Sequence, residues 1–568
     1  MGINYFRSIR FSTKSTIIMI LIFFSFTGSI YHQKVYADWI SLGGSSKYIA
    51  TGNDSNGNLV LFSIGSDDQV YYTYQLPNGS FADWISLGGS SKYIATGNDS
   101  NGNLVLFSIG SNSNAVYKQQ IYIENLLWVT DERLRFELIT DRLSFPTSMA
   151  FIDEEKILVL QKYDGQVRLI SNGILLDEPV LKVSTNSIGE RGLLGIAVNR
   201  DSYGTEVFLY FTEALAGGET RNRIYKYTWN ESTLTLSDPR LIIDLPAEFV
   251  NHNGGKLVIH DQKLFAVIGD QNRDTLPQNI GAIGPEFDGS EFDTGVILRT
   301  TLSGLPLEDN PFYDRNNDSI LNSVFAYGIR NSFGLAIDPV TGYLWDTENG
   351  DTEYDEINIV LPGFNSGWKK VMGPISRSNT TLNDLVHLPG SQYYDPVFSW
   401  YRTVAPTSLT FMSSTALGPQ YLNNLFVGDF NNGYIYRFIL NETRTGFQFS
   451  MDQRGLLDLV ADPEDERELS SIIFARTPTG ITDLVVGPDG YLYVLTFGGS
   501  LYRIVPTNST STGSISSISI TNTSDTNTES SILYIRIIII LILIIVAIVS
   551  ILVIRSYKRR SLSLREHS

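Results

Sequence analysis

The stretch VNHNGGKLVIHDQKLFAVIGD, residues 250–270, carries two side chains suited to acid–base chemistry, His252 near its start and Asp270 at its end. Apolar and polar residues alternate between them, which predicts a hairpin that can bring the two side chains together. A neutral imidazole can accept a proton, and a carboxylate on its other ring nitrogen fixes the tautomer that does so. The alternative is structural: His252 caps one turn and Asp270 begins another.

The elements that would position these residues are predicted to be β-hairpins. Between Leu127 and Pro506, apolar runs are separated by Asp-Gly, Asn-Gly and similar turns, which is the pattern of antiparallel strands. The clearest examples are ILVLQKYDGQVRLISNG, KLVIHDQKLFAVIGD, LAIDPVTGYLWDTENG, LFVGDFNNGYIYRFIL and DLVVGPDGYLYVLTFGGSLYRIV. Hairpins repeated at this spacing predict an all-β fold of the β-propeller type.

A repeat precedes this region. The segment at residues 37–66 recurs without a change at residues 82–111. Each copy alternates apolar runs with Gly, Asn and Asp turns, as a sheet the size of one propeller blade does. The pattern W-x-x-LGG followed by LVLFSIG resembles the blades of tectonin-like and PLL-type β-propeller lectins. Residues 38–121 are therefore predicted to form two blade-like β repeats, either sugar-binding or a plain spacer.

The two ends of the chain carry targeting patterns. Residues 1–37 combine basic residues with the apolar run TIIMILIFFSF and end in VYA, which predicts a secretory signal peptide. Residues 507–531 are rich in Ser, Thr and Asn and predict a stalk. Residues 532–555 contain the uncharged run IIIILILIIVAIVSILVI, which predicts a single transmembrane helix, with a basic cytoplasmic tail at 556–568. These patterns predict a single-pass cell-membrane protein whose N-terminal ectodomain is extracellular.

Composition excludes several kinds of site. The 568 residues include no Cys, which excludes disulfides, thiolate metal sites and cysteine nucleophiles. The formal net charge is −18, and ten of the 42 Lys and Arg residues lie in the two terminal segments. The part between the ends is therefore more acidic still, and it would repel nucleic acid. No P-loop or dinucleotide-binding glycine motif is present.

Seven motifs resemble, in the same order, those of the soluble sugar dehydrogenases that depend on pyrroloquinoline quinone (PQQ), the glucose/sorbosone dehydrogenase family. They are LSFPTSMAFIDEEKILVLQKYDGQVRLI, GERGLLGIAVN, NHNGGKLVIHDQKLFAVIGDQ, YGIRNSFGLAIDP, TENGDTEYDEINIVLPGFNSGW, PVFSWYRTVAPTS and ITDLVVGPDGYLYVLT. The resemblance covers about residues 136–506. It implies a six-bladed propeller over 129–506, placed between the two blade-like repeats and the transmembrane helix, with PQQ in a polar basin at the mouth of the central channel.

The resemblance also implies roles for six residues. His252 matches the family's catalytic base and Asp270 the acid that orients it. Arg330 and Asn331 match the pair that contacts the cofactor. The carbonyls of Gly350 and Asp351 match those that hold a calcium ion beside the quinone, and oxygen ligands are what Ca²⁺ prefers.

Three positions depart from the family pattern. Asn431, Gly480 and Thr482 stand where the family has cations that face the three carboxylates of PQQ. Arg402 and Arg476 are close enough in sequence to substitute for them. Two functions are therefore compatible with the sequence. The first is a membrane-anchored, extracellular quinoprotein that oxidises aldoses and passes electrons to an extracellular acceptor. The second is a non-catalytic propeller that binds carbohydrate or protein at the cell surface.

Overall fold

The structure is a computed structural model, and it describes residues 46–53, 59–74, 84–88, 91–98, 104–110, 116–120 and 127–507. Strands dominate these residues, and their single α-helix, α1, spans only Glu466–Ile472. Short 3₁₀ helices lie in the loops at Ala216–Gly218, Leu276–Gln278, Ile320–Ser323, Ile375–Arg377, Leu382–Asp384, Pro419–Tyr421 and Met451–Asp458. The prediction of an all-β fold is confirmed.

The N-terminal repeats form two similar antiparallel sheets. Their strands are β1 Ser46–Asn53, β2 Leu59–Gly65, β3 Val70–Tyr74 and β4 Ile85–Gly88, then β5 Ser91–Asn98, β6 Leu104–Gly110 and β7 Val116–Gln120. Strand β4 belongs to the second copy by sequence but completes the sheet of the first. Tyr48 and Tyr93, the same position in the two copies, pack edge to face with ring centroids 5.2 Å apart. The resemblance of these repeats to lectin blades stays a prediction.

Six further sheets follow one another along the chain, and we number them sheets 1 to 6. Two strands, β8 Trp128–Val129 and β9 Leu134–Thr140, come before sheet 1. Sheet 1 contains β10 Pro146–Phe151, β11 Lys156–Gln161, β12 Gln166–Ser171, β13 Ile174–Leu175 and β14 Leu181–Lys182. Sheet 2 contains β15 Leu193–Asp201, β16 Gly204–Ala214, β17 Thr220–Asn230 and β18 Thr235–Pro246.

The remaining sheets also begin with antiparallel strands, but the first two of them interleave in sequence and add parallel strand pairs. Strands β19 to β28 are Leu257–His260, Lys263–Ile268, Val296–Thr301, Val324–Tyr327, Ser332–Ile337, Leu344–Glu348, Asp355–Val360, Phe364–Asn365, Gln392–Tyr393 and Phe398–Trp400. Sheet 3 orders them as β19-β20-β21-β22-β26-β27, and sheet 4 as β23-β24-β25-β28 followed by β32, Val460–Ala461. Sheet 5 contains β29 Pro406–Phe411, β30 Leu425–Asp429, β31 Tyr434–Phe438 and β33 Ile473–Arg476, and sheet 6 contains β34 Ile481–Val486, β35 Leu492–Thr496 and β36 Leu501–Pro506.

The first two strands of this region, β8 and β9, are the outermost strands of the last two sheets, 5 and 6. Strand β9 pairs antiparallel with β36, so that Leu134 lies opposite Pro506 and Thr140 opposite Leu501. Strand β8 pairs with β33 in the same way. The first strands of the six sheets, β10, β15, β19, β23, β29 and β34, pack side by side, and β34 also packs against β10. The sheets therefore form a closed ring, as the propeller prediction requires.

The predicted hairpins are confirmed, and their turns explain why. Gly165, Gly433 and Gly490 each adopt a positive φ, of 67°, 70° and 80°. Glycine reaches this conformation without the steric cost that a side chain adds. Each glycine therefore allows a tight turn between two apolar strands of one sheet.

Apolar side chains fill the spaces between neighbouring sheets. Between sheets 4 and 5, the ring of Phe398 lies 4.9 Å from that of Phe438, and the ring of Trp400 lies 5.1 Å from that of Tyr436. All four side chains are buried. Buried aromatic residues contribute large apolar areas, so this packing fixes each sheet against the next and holds the loops around the ring axis.

Several predictions concern residues that the structure does not describe. The signal peptide at 1–37, the stalk from residue 508 onward, the transmembrane segment and the basic tail all lie outside the described residues. Within the described part of the chain, no helix has the length and apolar character that crossing a membrane needs.

Candidate active site

A cavity of about 410 Å³ lies at the axis of the ring. Each of the six sheets contributes a residue from the start of its first strand or, for Lys256, from directly before it; these residues are Ser148, Leu194, Lys256, Phe333, Thr407 and Thr482. Ligand sites of enzymes favour concave pockets of this size with a few convergent polar groups. The cavity is therefore the candidate active site.

The structure brings the predicted pair His252 and Asp270 together behind the cavity wall: neither residue lines the cavity itself, whereas Glu190, which accepts from the His252 backbone, and Gly254 do. Nδ1 of His252 and Oδ1 of Asp270 lie 2.6 Å apart, and both residues are buried. His252 precedes β19 and Asp270 follows β20, so the hairpin places them side by side. The side chain of His252 remains 7% exposed, and none of the described residues hydrogen-bonds its Nε2. Nδ1 donates to the carboxylate, which leaves Nε2 as the basic nitrogen.

Two glycines that follow His252 lie so close to neighbouring strands that neither position has room for a side chain. Gly254 has a φ of 61°, and a Cβ there would lie 2.6 Å from the carbonyl oxygen of Val267. Gly255 has a φ of 114°, and its Cβ would lie 2.7 Å from Cβ of Leu194. A side chain at either position would push the segment away from sheets 2 and 3. The Gly pair thus fixes where His252 stands.

Further bonds orient the Asp270 carboxylate. Nε1 of Trp368 donates to its Oδ2 at 2.6 Å, and the backbone N–H of Asn272 donates to its Oδ1 at 2.8 Å. The backbone N–H of Asp270 donates to the carbonyl of Arg330 at 2.8 Å. The carboxylate is therefore held in one position relative to the imidazole.

Glu190 is a residue of the site that the sequence analysis missed. It lines the cavity, and its Oε2 accepts from the backbone N–H of His252 at 2.6 Å and from Nδ2 of Asn331 at 3.3 Å. An acidic residue inside the glycine-rich motif GERGLLG was the available signal. Glu190 links His252 to the predicted cofactor-contacting segment.

Arg330 and Asn331 are placed differently from each other. Asn331 lines the cavity, whereas the Arg330 guanidinium lies behind the wall. There it donates to the carbonyl of Asn349 at 2.9 Å and to Oδ1 of Asp351 at 3.0 Å, and it stacks 5.2 Å from the Trp368 ring.

Three buried polar atoms at this wall lack a hydrogen-bond partner among the described residues. They are Nε of Arg330, Oδ1 of Asn331 and Oδ1 of Asn349. Asn331 and Asn349 line the cavity. Buried polar atoms in native proteins are nearly always bonded, so a cluster of unpartnered ones beside a cavity is suited to bind a polar ligand.

The buried Asp355 side chain holds the backbone of the segment that is predicted to bind calcium. The backbone N–H of Gly350 donates to Oδ1 of Asp355 at 2.8 Å, and burial raises the pKa of Asp355 to about 6. The described residues contain no group of three His, Asp or Glu side chains that could hold a metal ion. Because the predicted ligands, at Gly350 and Asp351, are backbone carbonyls, the calcium site stays a prediction.

The cations of the cavity are lysines from sheets 1 and 3. Nζ of Lys162 donates to the carbonyls of Gly189 at 2.7 Å and Ser187 at 3.3 Å, and burial lowers the pKa of Lys162 to about 8. Lys256 pairs with Asp483 across the ring. No motif or spacing in the sequence predicted a role for either lysine.

The arginines considered as substitutes do not line the cavity. Arg402 is exposed, and Arg476 lies 5.2 Å from the Tyr434 ring. Of the three departing positions, Thr482 lines the cavity, Asn431 is exposed, and Gly480 packs against Phe430.

Comparisons with known proteins agree with this arrangement. Residues 143–503 match the model of the family Glucose / Sorbosone dehydrogenase. Aldose sugar dehydrogenase YliI of Escherichia coli (strain K12) is 26% identical over 395 residues, which cover 68% of this chain and 97% of that protein. Quinoprotein glucose dehydrogenase B of Acinetobacter calcoaceticus is 29% identical over 258 residues, which cover 42% of this chain and 52% of that protein.

A solved structure shares the fold. The soluble aldose sugar dehydrogenase from Escherichia coli, in its apo-form, superposes with a TM-score of 0.52 at 24% identity, covering 66% of this chain and 99% of that chain. The family model spans well over half of the sequence, and the seven motifs quoted above lie on the six sheets and on the loops that connect their strands. The chain therefore belongs to the glucose/sorbosone dehydrogenase family.

Proposed function

We propose that the chain is a quinoprotein dehydrogenase that oxidises aldose sugars at the anomeric carbon with PQQ. The single observation that carries the proposal is the buried pair His252 and Asp270, joined at 2.6 Å beside the axial cavity. A propeller that only bound a partner would have no need of such a pair. We interpret the six sheets as the six blades that the family resemblance implies.

The cavity wall fits such a cofactor. The unpartnered atoms of Arg330, Asn331 and Asn349 are suited to bond a polar, planar molecule, and Asn331 with Asn349 would hold it directly. Lys162 would supply positive charge toward its carboxylates, whereas the charge of Lys256 is already paired with Asp483. When bound, PQQ supplies the quinone that accepts hydride from the sugar.

The protein's own part in the reaction is to remove a proton. Nε2 of His252 takes the proton of the anomeric hydroxyl, which lets the C–H hydrogen leave with its electron pair. The Asp270 carboxylate then stabilises the imidazolium, while Trp368 and Asn272 keep that carboxylate in place. General bases of this kind contribute about 10²- to 10⁴-fold in rate.

Three finer parts of the proposal rest on the sequence. Carbonyls of Gly350 and Asp351 would hold the calcium ion beside the quinone. A transmembrane helix within 532–555 would anchor the protein in the cell membrane. The signal peptide at 1–37 would place the catalytic region outside the cell, where an extracellular acceptor takes the electrons.

One observation favours the second candidate, a non-catalytic carbohydrate-binding or protein-binding propeller. No arginine lines the cavity in the described part of the chain, and the acidic Glu190 does. A tricarboxylate is therefore held by fewer cations than the family pattern provides. Each lost charge-assisted bond weakens binding by about 1.5–3 kcal/mol.

Reconstitution separates the two candidates. The purified full-length chain is mixed with PQQ and Ca²⁺, and dye reduction is followed with a panel of aldoses. The dehydrogenase predicts dye reduction that depends on PQQ and disappears in His252→Ala. Protein that binds aldoses but fails to bind micromolar PQQ would establish the binding propeller instead.

A further inference from the structure

The two N-terminal repeats share a strand. Strand β4, Ile85–Gly88, lies in the second copy of the repeated sequence but pairs antiparallel with β3, Val70–Tyr74, of the first copy. Three pairs of residues lie opposite each other across this pairing, namely Val70 and Gly88, Tyr71 and Ser86, and Tyr72 and Ile85. We call β1 to β4 the first repeat sheet and β5 to β7 the second repeat sheet. The strand that completes the first repeat sheet therefore leads directly into the second.

The second repeat sheet has an open edge where the first carries β4. Among the described residues, β7 pairs only with β6. Its register repeats that of β3, because Val116 lies opposite Ile109 as Val70 lies opposite Ile64. The open edge of β7 is thus equivalent to the edge of β3 on which β4 lies. A strand edge of this kind presents N–H and C=O groups that can pair with a further strand.

The burial of identical residues shows that each repeat sheet also has an uncovered face. Ile94 is 8% exposed in the second copy, whereas its equivalent Ile49 is 60% exposed in the first. Phe62 is fully buried in the first copy, whereas its equivalent Phe107 is 37% exposed in the second. Ile49 and Phe62 lie on opposite faces of their sheet, since Phe62 pairs with Ala50, the neighbour of Ile49. The buried faces meet where β5 packs on β1 and β2, so the two uncovered faces are the same kinds of surface that already pack together within the chain.

The chain contains one further copy of the strand that the second repeat sheet lacks. Residues 40–43 read ISLG, as β4 does, and two residues separate them from β1, as two separate β4 from β5. The segment lies outside the described residues. No copy of the repeat precedes it in residues 1–36, so the sequence offers no earlier repeat for it to complete. Cleavage after the signal peptide predicted at 1–37 would place it at the start of the mature chain.

This segment cannot complete the second repeat sheet of its own chain. A strand that completes a repeat sheet leads, two residues later, into a sheet that covers the next face. Residues 40–43 lead into β1, so on the edge of β7 they would place a first repeat sheet against the uncovered face that carries Phe107. The chain's own first repeat sheet already packs on the other face, where the rings of Tyr48 and Tyr93 lie 5.2 Å apart. The segment must therefore come from a second copy of the chain.

Such a contact joins two different surfaces and passes from chain to chain. Head-to-tail contacts of this kind close into rings or continue as filaments. Each chain contributes two sheets, and closed propellers have about four to eight, so about two to four chains complete one ring. We propose that the repeats of several chains form one closed propeller, in which residues 40–43 of each chain complete the second repeat sheet of the next. The inference is independent of the proposed dehydrogenase activity.

Disulfide cross-linking of the full-length chain tests the inference, because the chain contains no Cys of its own. By equivalence with Tyr71 and Ser86, Tyr117 of one chain lies opposite Ser41 of the next. Cα atoms of such cross-strand pairs are about 4.5–5.5 Å apart, which suits a disulfide. After mild oxidation, we expect the Ser41→Cys, Tyr117→Cys variant to form covalent assemblies that end at one largest size, of about two to four chains.

Two controls establish which residues form the link. The Tyr71→Cys, Ser86→Cys variant has the same pairing within one chain, so it should lose its free thiols and remain a single chain on a non-reducing gel. Failure to form that disulfide would remove the β3–β4 pairing on which the inference rests. The single variants Ser41→Cys and Tyr117→Cys should not cross-link alone, and their mixture should give dimers only, because each chain then carries one thiol.

A charge on the uncovered face tests the packing of the sheets separately. Phe107→Asp should reduce the mass of the assembly, measured by light scattering, to that of one chain, because it puts a carboxylate into an apolar contact. Tyr203→Asp, which replaces a 97% exposed ring between β15 and β16, is the matched control and should leave the mass unchanged.

Three results would overturn the inference. One is a wild-type chain that light scattering finds as a single chain at micromolar concentration. Another is an oligomer whose Ser41→Cys, Tyr117→Cys variant does not cross-link, although the Tyr71→Cys, Ser86→Cys variant forms its disulfide. The third is an open series of ever larger cross-linked assemblies, which would show a filament in place of a closed ring.

Discussion

The imidazole of His252 is held from several directions. Nδ1 bonds Asp270, the backbone N–H bonds Glu190, and the partner carboxylate is itself bonded by Trp368. The ring cannot rotate without breaking a buried bond. This preorganisation is what a general base needs, since small misplacements of a reacting group cost large factors in rate.

At the same scale, Lys162 should make the proposed binding of PQQ depend on pH. Because burial lowers its pKa to about 8, Lys162 is charged below that pH and neutral above it. We expect the Kd for PQQ, measured by quenching of protein fluorescence, to rise about tenfold as the pH passes from 7 to 9.5. Lys162→Arg should remove this rise, because arginine stays charged throughout. A wild-type Kd that is constant over this range would contradict the role given to Lys162.

The residues of the site were predictable only where the signal was local. His252 and Asp270 flank one hairpin, so the sequence placed them together. Glu190 reaches His252 across 62 positions and Trp368 reaches Asp270 across 98. Lys256 reaches Asp483 across 227 positions. Such contacts depend on the order of the sheets in the ring, which residue types and spacing do not contain.

At the scale of elements, Gly480, directly before β34, allows the chain to pack closely against Phe430. Gly480→Ala should lower the free energy of unfolding by about 1–3 kcal/mol, because the new Cβ meets the Phe430 carbonyl and ring. Thermal unfolding measures the change. Gly284→Ala is the control, since a Cβ at Gly284 meets nothing within 4 Å, and it should leave the melting temperature unchanged. Equal stability of the two variants would refute the packing described for Phe430.

Most hairpins could be predicted because each one is set by neighbouring residues. A turn glycine such as Gly165 or Gly490 stands between two apolar runs, and both are visible in one short stretch. The pairing of β9 with β36 could not be read in this way, because it joins residues from the two ends of the region. Neither could the joining of β26 and β27 to sheet 3, since they follow strands of sheet 4 in sequence.

At the scale of the whole molecule, Asp483 ties four sheets together at the axis. It lies on β34 of sheet 6, pairs with Lys256 of sheet 3, and accepts from the hydroxyl groups of Ser148 in sheet 1 at 2.8 Å and Ser408 in sheet 5 at 3.0 Å. Its side chain is fully buried. The ring therefore carries a polar junction beneath the candidate active site.

Removing the cation of this junction should weaken the whole ring. Lys256→Met leaves the Asp483 carboxylate buried without its partner, which costs about 3–5 kcal/mol. Denaturant unfolding measures the loss. Lys156→Met, which breaks pairs with Asp153 and the largely exposed Glu231, should cost at most about 1 kcal/mol. Similar costs for the two variants would show that the axial pair does not stabilise the ring.

Proton removal by His252 with the help of Asp270 is the central step of the proposed reaction, and one measurement tests it directly. Protein loaded with PQQ and Ca²⁺ is mixed with excess aldose, and the single-turnover rate of cofactor reduction is recorded in wild type, His252→Asn and Asp270→Asn. We predict rates at least about 10²-fold lower in both variants, with PQQ still bound and the fold intact. Folded, loaded variants that reduce the cofactor at the wild-type rate would contradict the account.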